Sequence, residues 1–359
     1  MLPYLRGHPA DPGRVHSDGR ATRVAVEQAR EAVAVLLGAR PREVVFTATG
    51  TEAVNSAVWG AVTREVGAGR PHIVTTAVEH SSVLAACRRA DADLSVVGVD
   101  GLGRFDAGAV LAEVRPETVL VSVQLANHEV GTVQPAVPLI SAAIGPNGPL
   151  VHVDACAAAG HLPVDFAALG ADLCSVTAHT LGGPKGAAAL LIRRGLRIPP
   201  LLVGGDQERA RRAGMEDVPA IVGFGAAAAE LADGTRLADE AAIAQAQTDR
   251  LLAAASAVPD VAPLGDPDGR LPSLVCLAVG GVEAEPVLLG LDQRGVAVHS
   301  GSSCSSEALE PSPVLAAMGA DAERSLRVSV GWSTGDADLD AFATAFPEVV
   351  AKLRALRGS

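Results

Sequence analysis

The chain has 359 residues, of which 48% are hydrophobic, 19% charged and 3% aromatic, so it is a compact folded protein with a core of Ala, Val and Leu, and its length predicts one large and one smaller domain. The net charge of −12 and the lack of basic runs argue against nucleic acid or an anionic membrane surface as partner. Without an apolar stretch of about twenty residues or an apolar signal core, we expect a cytoplasmic protein that binds a small molecule or another protein.

A helix, a strand and a second helix open the chain. Apolar residues at helical spacing predict a helix over 21–37, and a β-branched and aromatic run predicts a strand over 43–47. The strand breaks at a Thr-Gly-Thr turn before the next helix. Free N–H groups and the helix dipole would point at an anion over Gly50 and Thr51, although such a turn is more often only a capped helix start.

Four further apolar runs each end on a polar residue. They cover 72–80, 118–127, 150–155 and 171–179. Strands that alternate with helices predict an α/β fold with a mostly parallel sheet, helices on both faces, and ligands at the carboxyl ends of the strands. The polar residues at these ends are His80, Asn127, Asp154 and His179.

Together these residues suit an aromatic phosphate cofactor. His80 can stack on a flat ring, Asp154 can hold the proton of a pyridine nitrogen, and the Thr-Gly-Thr turn can hold a phosphate. This combination describes pyridoxal phosphate. Taken singly, a histidine or an aspartate at a strand end is more often a structural residue or a helix cap. His152, Asp154 and His179 could also mimic a metal site, but no supporting ligand pattern accompanies them and we expect no metal.

The last third of the chain has a different composition. The charged segment 204–217 is either a solvated loop or a loop that contacts a phosphate or a second subunit, and it precedes a helix over 219–232. After residue 235 we expect an Ala-, Asp- and Pro-rich connector and then a smaller domain. We therefore assign 15–234 to a large cofactor-binding domain and 235–359, with 1–14, to a small domain. The strands of the small domain are predicted over 273–279, 295–301 and 325–332, and its last helix over 336–356.

The five cysteines are scattered, odd in number and without a CxxC pair, which argues against a disulfide framework or a structural zinc site. Four of them have apolar neighbours and are expected in the core. Cys304 instead lies among Ser and Gly residues, between a strand and a helix. A solvated, accessible thiol suits nucleophilic sulfur chemistry, although an incidental surface cysteine would look the same.

Eight segments resemble, in order and spacing, the motifs of cysteine desulfurases in the class V, fold-type I PLP-dependent family. The resemblance covers nearly the whole chain from Val15 onward. The segments are EVVFTATGTEAVN, TTAVEHSSVL, VSVQLANHEVGTVQP, LVHVDACAAAGHLPVD, SVTAHTLGGPKGAAAL, GGDQERARRAG, HSGSSCSSEALEPSPVL and LRVSVGWST. The family fold has a mostly parallel sheet and a smaller α+β C-terminal domain.

The resemblance implies a role for each site residue. His80 would stack on the PLP ring and act as acid and base, and Asp154 would be the pyridinium partner. The residues that would contact the phosphate are Gly50, Thr51, Thr177 and His179. Asn127 and Arg327 would hold the carboxylate of cysteine. Cys304 would take the sulfur as a persulfide and pass it to a sulfur-acceptor protein, as in iron–sulfur cluster assembly. The family also implies a homodimer.

The chain departs from the family pattern at its cofactor site. Thr180 stands where the family has the lysine that bonds to PLP, and threonine has no amine for that bond. The chain has only two lysines, Lys185 and Lys352, and neither is in a suitable position. Ala157 and Met215 replace a cofactor-contacting glutamine and a phosphate-binding threonine. Three hypotheses therefore stay open: a desulfurase fold with reduced or lost PLP chemistry that relays sulfur through Cys304, an enzyme that binds PLP non-covalently, and a non-catalytic interaction protein.

Overall fold

A computed structural model describes residues 1–7, 10–64, 69–301 and 311–357. The chain divides into two compact units. The first comprises Met1–Val97, Asp106–Leu125 and Pro135–Ala238, and the second comprises Gly98–Phe105, Ala126–Gln134 and Asp239–Ser359. The residues described within 1–14 lie in the first unit, whereas the sequence analysis assigned them to the small domain; the boundary at residue 235 stays a prediction.

The first unit is built on a seven-stranded sheet of order β1-β7-β6-β5-β4-β2-β3. Neighbouring strands are parallel from β3 to β6, and β7 is antiparallel to both of its neighbours. The carboxyl ends of β2, β4, β5 and β6 therefore lie at one edge. The strands are β1 Val44–Thr47, β2 His72–Thr76, β3 Asp93–Val97, β4 Thr118–Gln124, β5 Leu150–Asp154, β6 Leu173–Thr177 and β7 Ala188–Ile192.

Helices cover both faces of this sheet, which confirms the predicted arrangement. Val45 packs with the core that includes α3, while the next residue, Phe46, meets Phe224 of α9 with ring centroids 6.2 Å apart, as the two-residue period of a strand requires. The helices are α1 Leu2–Arg6, α2 Ser17–Leu36, α3 Gly50–Arg64, α4 Ser81–Arg89, α5 Ala107–Ala112, α6 Val137–Ile144, α7 Phe166–Leu169, the short α8 Gln207–Ala210 and α9 Val218–Leu231.

One strand of the first unit was not expected. Strand β3 was not predicted, because its partly exposed Asp-Leu-Ser start lacks the continuous apolar run of the buried strands.

Helices α2 and α9 approach very closely, since a Cβ on Gly225 would lie 2.4 Å from the Cα of Ala29. Only glycine permits that approach.

The second unit contains a four-stranded antiparallel sheet of order β10-β11-β9-β8. Helices α10, α11 and α13 contribute apolar residues to its core, so the predicted smaller α+β unit is confirmed. The elements are α10 Thr235–Ser256, which begins in the first unit, β8 Val261–Leu264, β9 Leu274–Val279, α11 Ala284–Asp292, β10 His299–Ser300, α12 Pro313–Ala317, β11 Ser325–Ser329 and α13 Asp336–Arg357.

The prediction of a connector directly after residue 235 is wrong. Residues Thr235–Ser256 form the 22-residue helix α10, because their Ala, Leu, Gln and Arg residues favour helix and only the later Pro and Gly residues break it. The strand predicted over 295–301 is reduced to His299–Ser300. No helix among the described residues is long and apolar enough to cross a membrane.

Candidate functional site

The first turn of α3 begins at Gly50, which presents backbone atoms and no side chain. A Cβ on Gly50 would lie 2.8 Å from Sγ of Cys156 and 3.7 Å from Cβ of Thr177. The structure thus brings the start of α3 against the ends of β5 and β6. Because the first N–H groups of a helix have no partner within the helix, and the helix dipole is positive there, this surface suits an anion.

Asp154 ends β5 at the same edge of the sheet. Its side chain is buried, and Oδ1 accepts a hydrogen bond from the backbone N–H of Cys156 at 3.1 Å. Gln124 of β4 is in register with Asp154. Sequence reasoning overlooked Gln124, whose side-chain Nε2 is buried and has no hydrogen-bond partner among the described residues. The available signal was a polar residue inside the predicted run 118–127, which the structure ends at Gln124.

His80 begins helix α4 and is half-buried. Its Nδ1 accepts a hydrogen bond from the backbone N–H of Ser82 at 3.1 Å, which assigns the proton of the neutral ring to Nε2. Glu79 ties this turn to β4, because its Oε1 accepts from the backbone N–H of Gln124 at 3.0 Å and from the hydroxyl of Thr76 at 2.5 Å. His80 is thereby attached to the strand beside Asp154.

A 3-10 turn over Ala178–Leu181 follows β6 and carries the other predicted contacts. The hydroxyl of Thr177 lies 2.8 Å from Nδ1 of His179. Burial, with a smaller effect from the positive charge of Lys185, lowers the pKa of His179, which favours its neutral form. The hydroxyl of Thr180 donates to the backbone carbonyl of Thr177 at 3.0 Å. The resemblance implies a lysine at this position, and the structure has there a hydroxyl that bonds to its own turn.

His152 lies in the middle of the sheet and does not face a ligand. Its Nδ1 is 2.8 Å from the hydroxyl of Ser122, and its Nε2 is 2.8 Å from the hydroxyl of Ser175. Burial lowers its pKa to about 4, with Asp154 opposing that shift. Both ring nitrogens are engaged, and within the described ranges no group of three or more His, Cys, Asp or Glu side chains is arranged to hold a metal. The structure therefore gives the metal alternative no support.

Asn127 and Arg327 both belong to the second unit. Asn127 is fully buried, and its Oδ1 accepts from the N–H groups of Glu129 and Val130, each at 2.8 Å. Arg327 donates from Nη1 to the carbonyl of His128 at 2.9 Å. The two predicted carboxylate ligands are thus linked to one turn. A small cavity beside Arg327 is also lined by Glu129, Cys276, His299, Ser300, Gly301 and Leu315.

Glu129 is a further charged residue of this cavity that sequence reasoning did not single out. Burial opposes its ionisation, but hydrogen bonds from His128 and Ser312, together with the charge of Arg327, outweigh burial and lower its pKa. The hydroxyl of Ser312 donates to this carboxylate and accepts from the backbone N–H of Leu315 at the start of α12. Glu129 is therefore an ionised counter-charge close to Arg327.

The cysteines divide into distinct environments. Cys304 lies within 302–310, outside the described residues. Cys87 and Cys276 are core residues, as expected, and burial raises the pKa of each to about 12. Cys174 is also buried. Cys156, expected in the core, is only partly buried as a residue, but its sulfur is enclosed against the Gly50 turn, and this enclosure and the charge of Asp154 raise the pKa of its thiol.

Known proteins resemble this chain over nearly its whole length. The aminotransferase class-V family model matches residues 1–342. A cysteine desulfurase of Cereibacter sphaeroides is 40% identical over 365 residues, which cover 99% of this chain and 92% of that protein. A cysteine desulfurase of Trichormus azollae is 38% identical over 364 residues, covering 99% and 90%.

Solved structures agree with these relatives. A NifS-like protein superimposes with a TM-score of 0.90 at 28% identity, covering 98% of this chain and 94% of that one. DndA from Streptomyces lividans superimposes with a TM-score of 0.77 at 31% identity, covering 91% and 94%. With these matches in sequence and fold, the chain belongs to the class-V aminotransferase family and, within it, to the cysteine desulfurases.

Proposed function

We propose that this protein is a PLP-dependent cysteine desulfurase that holds its cofactor without a covalent bond. It would remove sulfur from L-cysteine, give alanine, and pass the sulfur from Cys304 to an acceptor protein. The observation that carries the proposal is the meeting of Gly50, Cys156 and Thr177 at the edge where β5 ends on the buried Asp154. This edge would supply a surface for the phosphate and a carboxylate for the ring nitrogen within one unit.

The residues present fit PLP as a non-covalent ligand. A side chain at Gly50 would collide with Cys156, so glycine lets the start of α3 pack against the end of β5, and the free N–H groups of this first helical turn could hold the phosphate. The buried carboxylate of Asp154 can hold the proton of the pyridine nitrogen, and His80 can stack on the ring. When bound, PLP supplies an electron sink for bond cleavage at the substrate.

The remaining chemistry belongs to side chains of this protein. Arg327 and Asn127 would bind the substrate carboxylate, a task suited to a planar guanidinium with several donors. His80, with its proton on Nε2, would exchange a proton with the substrate. The Cys304 thiolate would attack the sulfur of cysteine, so that the S–S bond forms as the Cβ–S bond breaks. The electron pair of the broken bond then takes up a proton at Cβ, which gives alanine.

Thr180 sets the limit of this proposal. Because its side chain has no amine and its hydroxyl bonds to the carbonyl of Thr177, PLP would be retained only by its phosphate, its ring nitrogen and stacking. The same residue favours a second candidate function, a sulfur-relay subunit. In that case Cys304 would accept sulfur from an active desulfurase, and this chain would make no alanine.

Borohydride reduction followed by peptide mass spectrometry tests the cofactor mode. The wild type should bind PLP, lose it on gel filtration and give no covalent adduct, whereas Thr180→Lys should give an adduct on the new lysine. An adduct on Lys185 or Lys352 would refute non-covalent binding. If neither protein binds PLP, the cofactor assignment is wrong.

Product analysis separates the two candidate functions. The desulfurase should form alanine from cysteine and a persulfide that Cys304→Ser abolishes. A relay subunit should form no alanine and become labelled at Cys304 only when mixed with an active desulfurase. Labelling that persists in Cys304→Ser would exclude both.

We further propose a cytoplasmic homodimer. Support comes from exposed apolar side chains on and near the loop before α9: Leu202 is 41%, Val203 79% and Met215 62% exposed. Such side chains on one segment are typical of a protein–protein contact. Light scattering that gives the mass of one chain at micromolar concentration would refute the dimer.

A further inference from the structure

The charged loop before α9, which includes the short element α8, has a backbone that is not right-handed helix. Glu208, Arg209 and Ala210 have φ of 49°, 60° and 60°. L-residues avoid this left-handed region because Cβ approaches the following carbonyl oxygen. A run of three such residues persists only where surrounding contacts hold it, and such strain is concentrated at functional sites.

A buried ion pair holds the loop to the sheet. The guanidinium of Arg30 donates from Nη1 and Nη2 to the two oxygens of Glu208, each at 2.7 Å, and both side chains are 1% exposed. Glu208 also accepts from the backbone N–H of Phe46 at 2.8 Å, and Arg30 donates to the carbonyl of Val44 at 2.9 Å. The loop is therefore fixed to β1, the strand that leads into the Gly50 turn.

A second ion pair connects the loop to the turn itself. Arg212 donates from Nε to Oε1 of Glu52 at 2.8 Å and from Nη2 to Oε2 at 3.3 Å. Glu52 in turn accepts from the backbone N–H of Ala48 at 3.0 Å, and its own N–H donates to the hydroxyl of Thr49 at 3.0 Å. Glu52 thus closes the turn that presents Gly50, and Arg212 holds Glu52.

The ion pair of Arg212 with Glu52 neutralises a negative charge next to the Gly50 turn. Glu52 lies in the first turn of α3, two residues from Gly50, so its negative charge would repel a phosphate on that turn. Its pair with Arg212 is only partly exposed, with side chains 14% and 18% accessible, and is therefore weakly screened by solvent. Arg212 removes the repulsion without removing the carboxylate that closes the turn.

We propose that Arg212 is a positioning residue for the anion site, neutralising Glu52 and fixing the Gly50 turn, and that the Arg30–Glu208 pair holds the loop from which Arg212 reaches it. The identity of the anion as the phosphate of PLP rests on the proposed function. Arg209 gives a matched control, because it belongs to the same loop but pairs with Glu27, on α2, at 3.0 Å.

Equilibrium titration with PLP and with pyridoxal, which lacks the phosphate, tests the proposal. Arg212→Gln should weaken PLP binding about tenfold, a typical size for coupling between charges at such distances, and leave pyridoxal binding unchanged. Adding Glu52→Gln should restore most of the PLP affinity, and Arg209→Gln should have no effect. Unchanged PLP binding in Arg212→Gln, equal losses for both ligands, or no recovery in the double variant would overturn the proposal.

Inorganic phosphate separates this inference from the proposed function. If the wild type binds neither PLP nor pyridoxal, the cofactor assignment fails, but phosphorus NMR can still compare phosphate binding in the same variants. Weaker phosphate binding in Arg212→Gln with recovery in the double variant supports the positioning role. A wild type that binds no phosphate overturns it.

Discussion

Acid should destabilise this fold through one buried histidine. His152 is fully buried between Ser122 and Ser175, and its pKa is lowered from 6.5 to about 4. The unfolded chain therefore binds a proton between these values that the folded chain does not. The stabilising contribution of His152 is fully present above pH 6.5 and is lost as the pH falls towards 4. A difference of that size corresponds to about 3 kcal/mol in the free energy of unfolding.

Urea unfolding followed by circular dichroism between pH 7 and 4 measures this contribution. Other groups titrate over the same range, so the comparison is with His152→Gln, which should be less stable at pH 7 and lose less stability as the pH falls. Parallel pH profiles for the wild type and His152→Gln would refute the assignment.

Three further predictions concern the Gly50 turn and the cavity beside Arg327. Gly50→Ala should weaken PLP binding about tenfold in an absorbance titration, because its Cβ would meet the sulfur of Cys156 at 2.8 Å. Adding Cys156→Ala to this variant should recover part of the loss. Normal PLP binding by Gly50→Ala would contradict the prediction. Glu129→Gln and Ser312→Ala should be coupled by about 1 kcal/mol in urea unfolding, whereas additive effects would show that their hydrogen bond contributes nothing. Arg327→Lys should raise the cysteine concentration for half-saturation about tenfold, since lysine cannot form two parallel bonds to a carboxylate; an unchanged value would exclude Arg327 as the carboxylate ligand.

The sheet was predictable because its signal is local. Buried strands such as Leu150–Asp154 are short, mainly apolar runs closed by a polar residue, and alternation with helices then implies parallel pairing. Two elements lacked that signal. The edge strand Asp93–Val97 is only partly buried, and helix Thr235–Ser256 resembles a linker in composition because it is rich in small residues and Asp.

His80, Asp154 and the Gly50 turn could be proposed from their type and place at strand ends, whereas the roles of Asn127, Arg327 and Cys304 were implied by the family resemblance; all of these roles remain proposals. Residues that act through other residues could not be proposed from the sequence. Arg30 and Glu208 are 178 positions apart, and nothing in either segment indicates that they meet. Gln124 was missed for another reason, because a polar residue at a strand end has many ordinary explanations. Its buried side-chain Nε2 has no hydrogen-bond partner in the described part of the chain.

The turn that carries Thr180 is defined by its backbone, so a threonine in place of the family lysine changes only a side chain. Gly182 has φ of 81°, and a Cβ on Gly183 would lie 2.8 Å from the carbonyl oxygen of Ala178, so glycines define the path of the chain on one side. On the other side, the antiparallel pairing of Thr177 with Ala188 fixes the end of β6. Thr180 adds only a hydrogen bond to the carbonyl of Thr177. Under the proposed function, a side chain without an amine removes the covalent attachment but leaves the backbone of the turn in place, and for this reason Thr180→Lys tests the chemistry of the site separately from its shape.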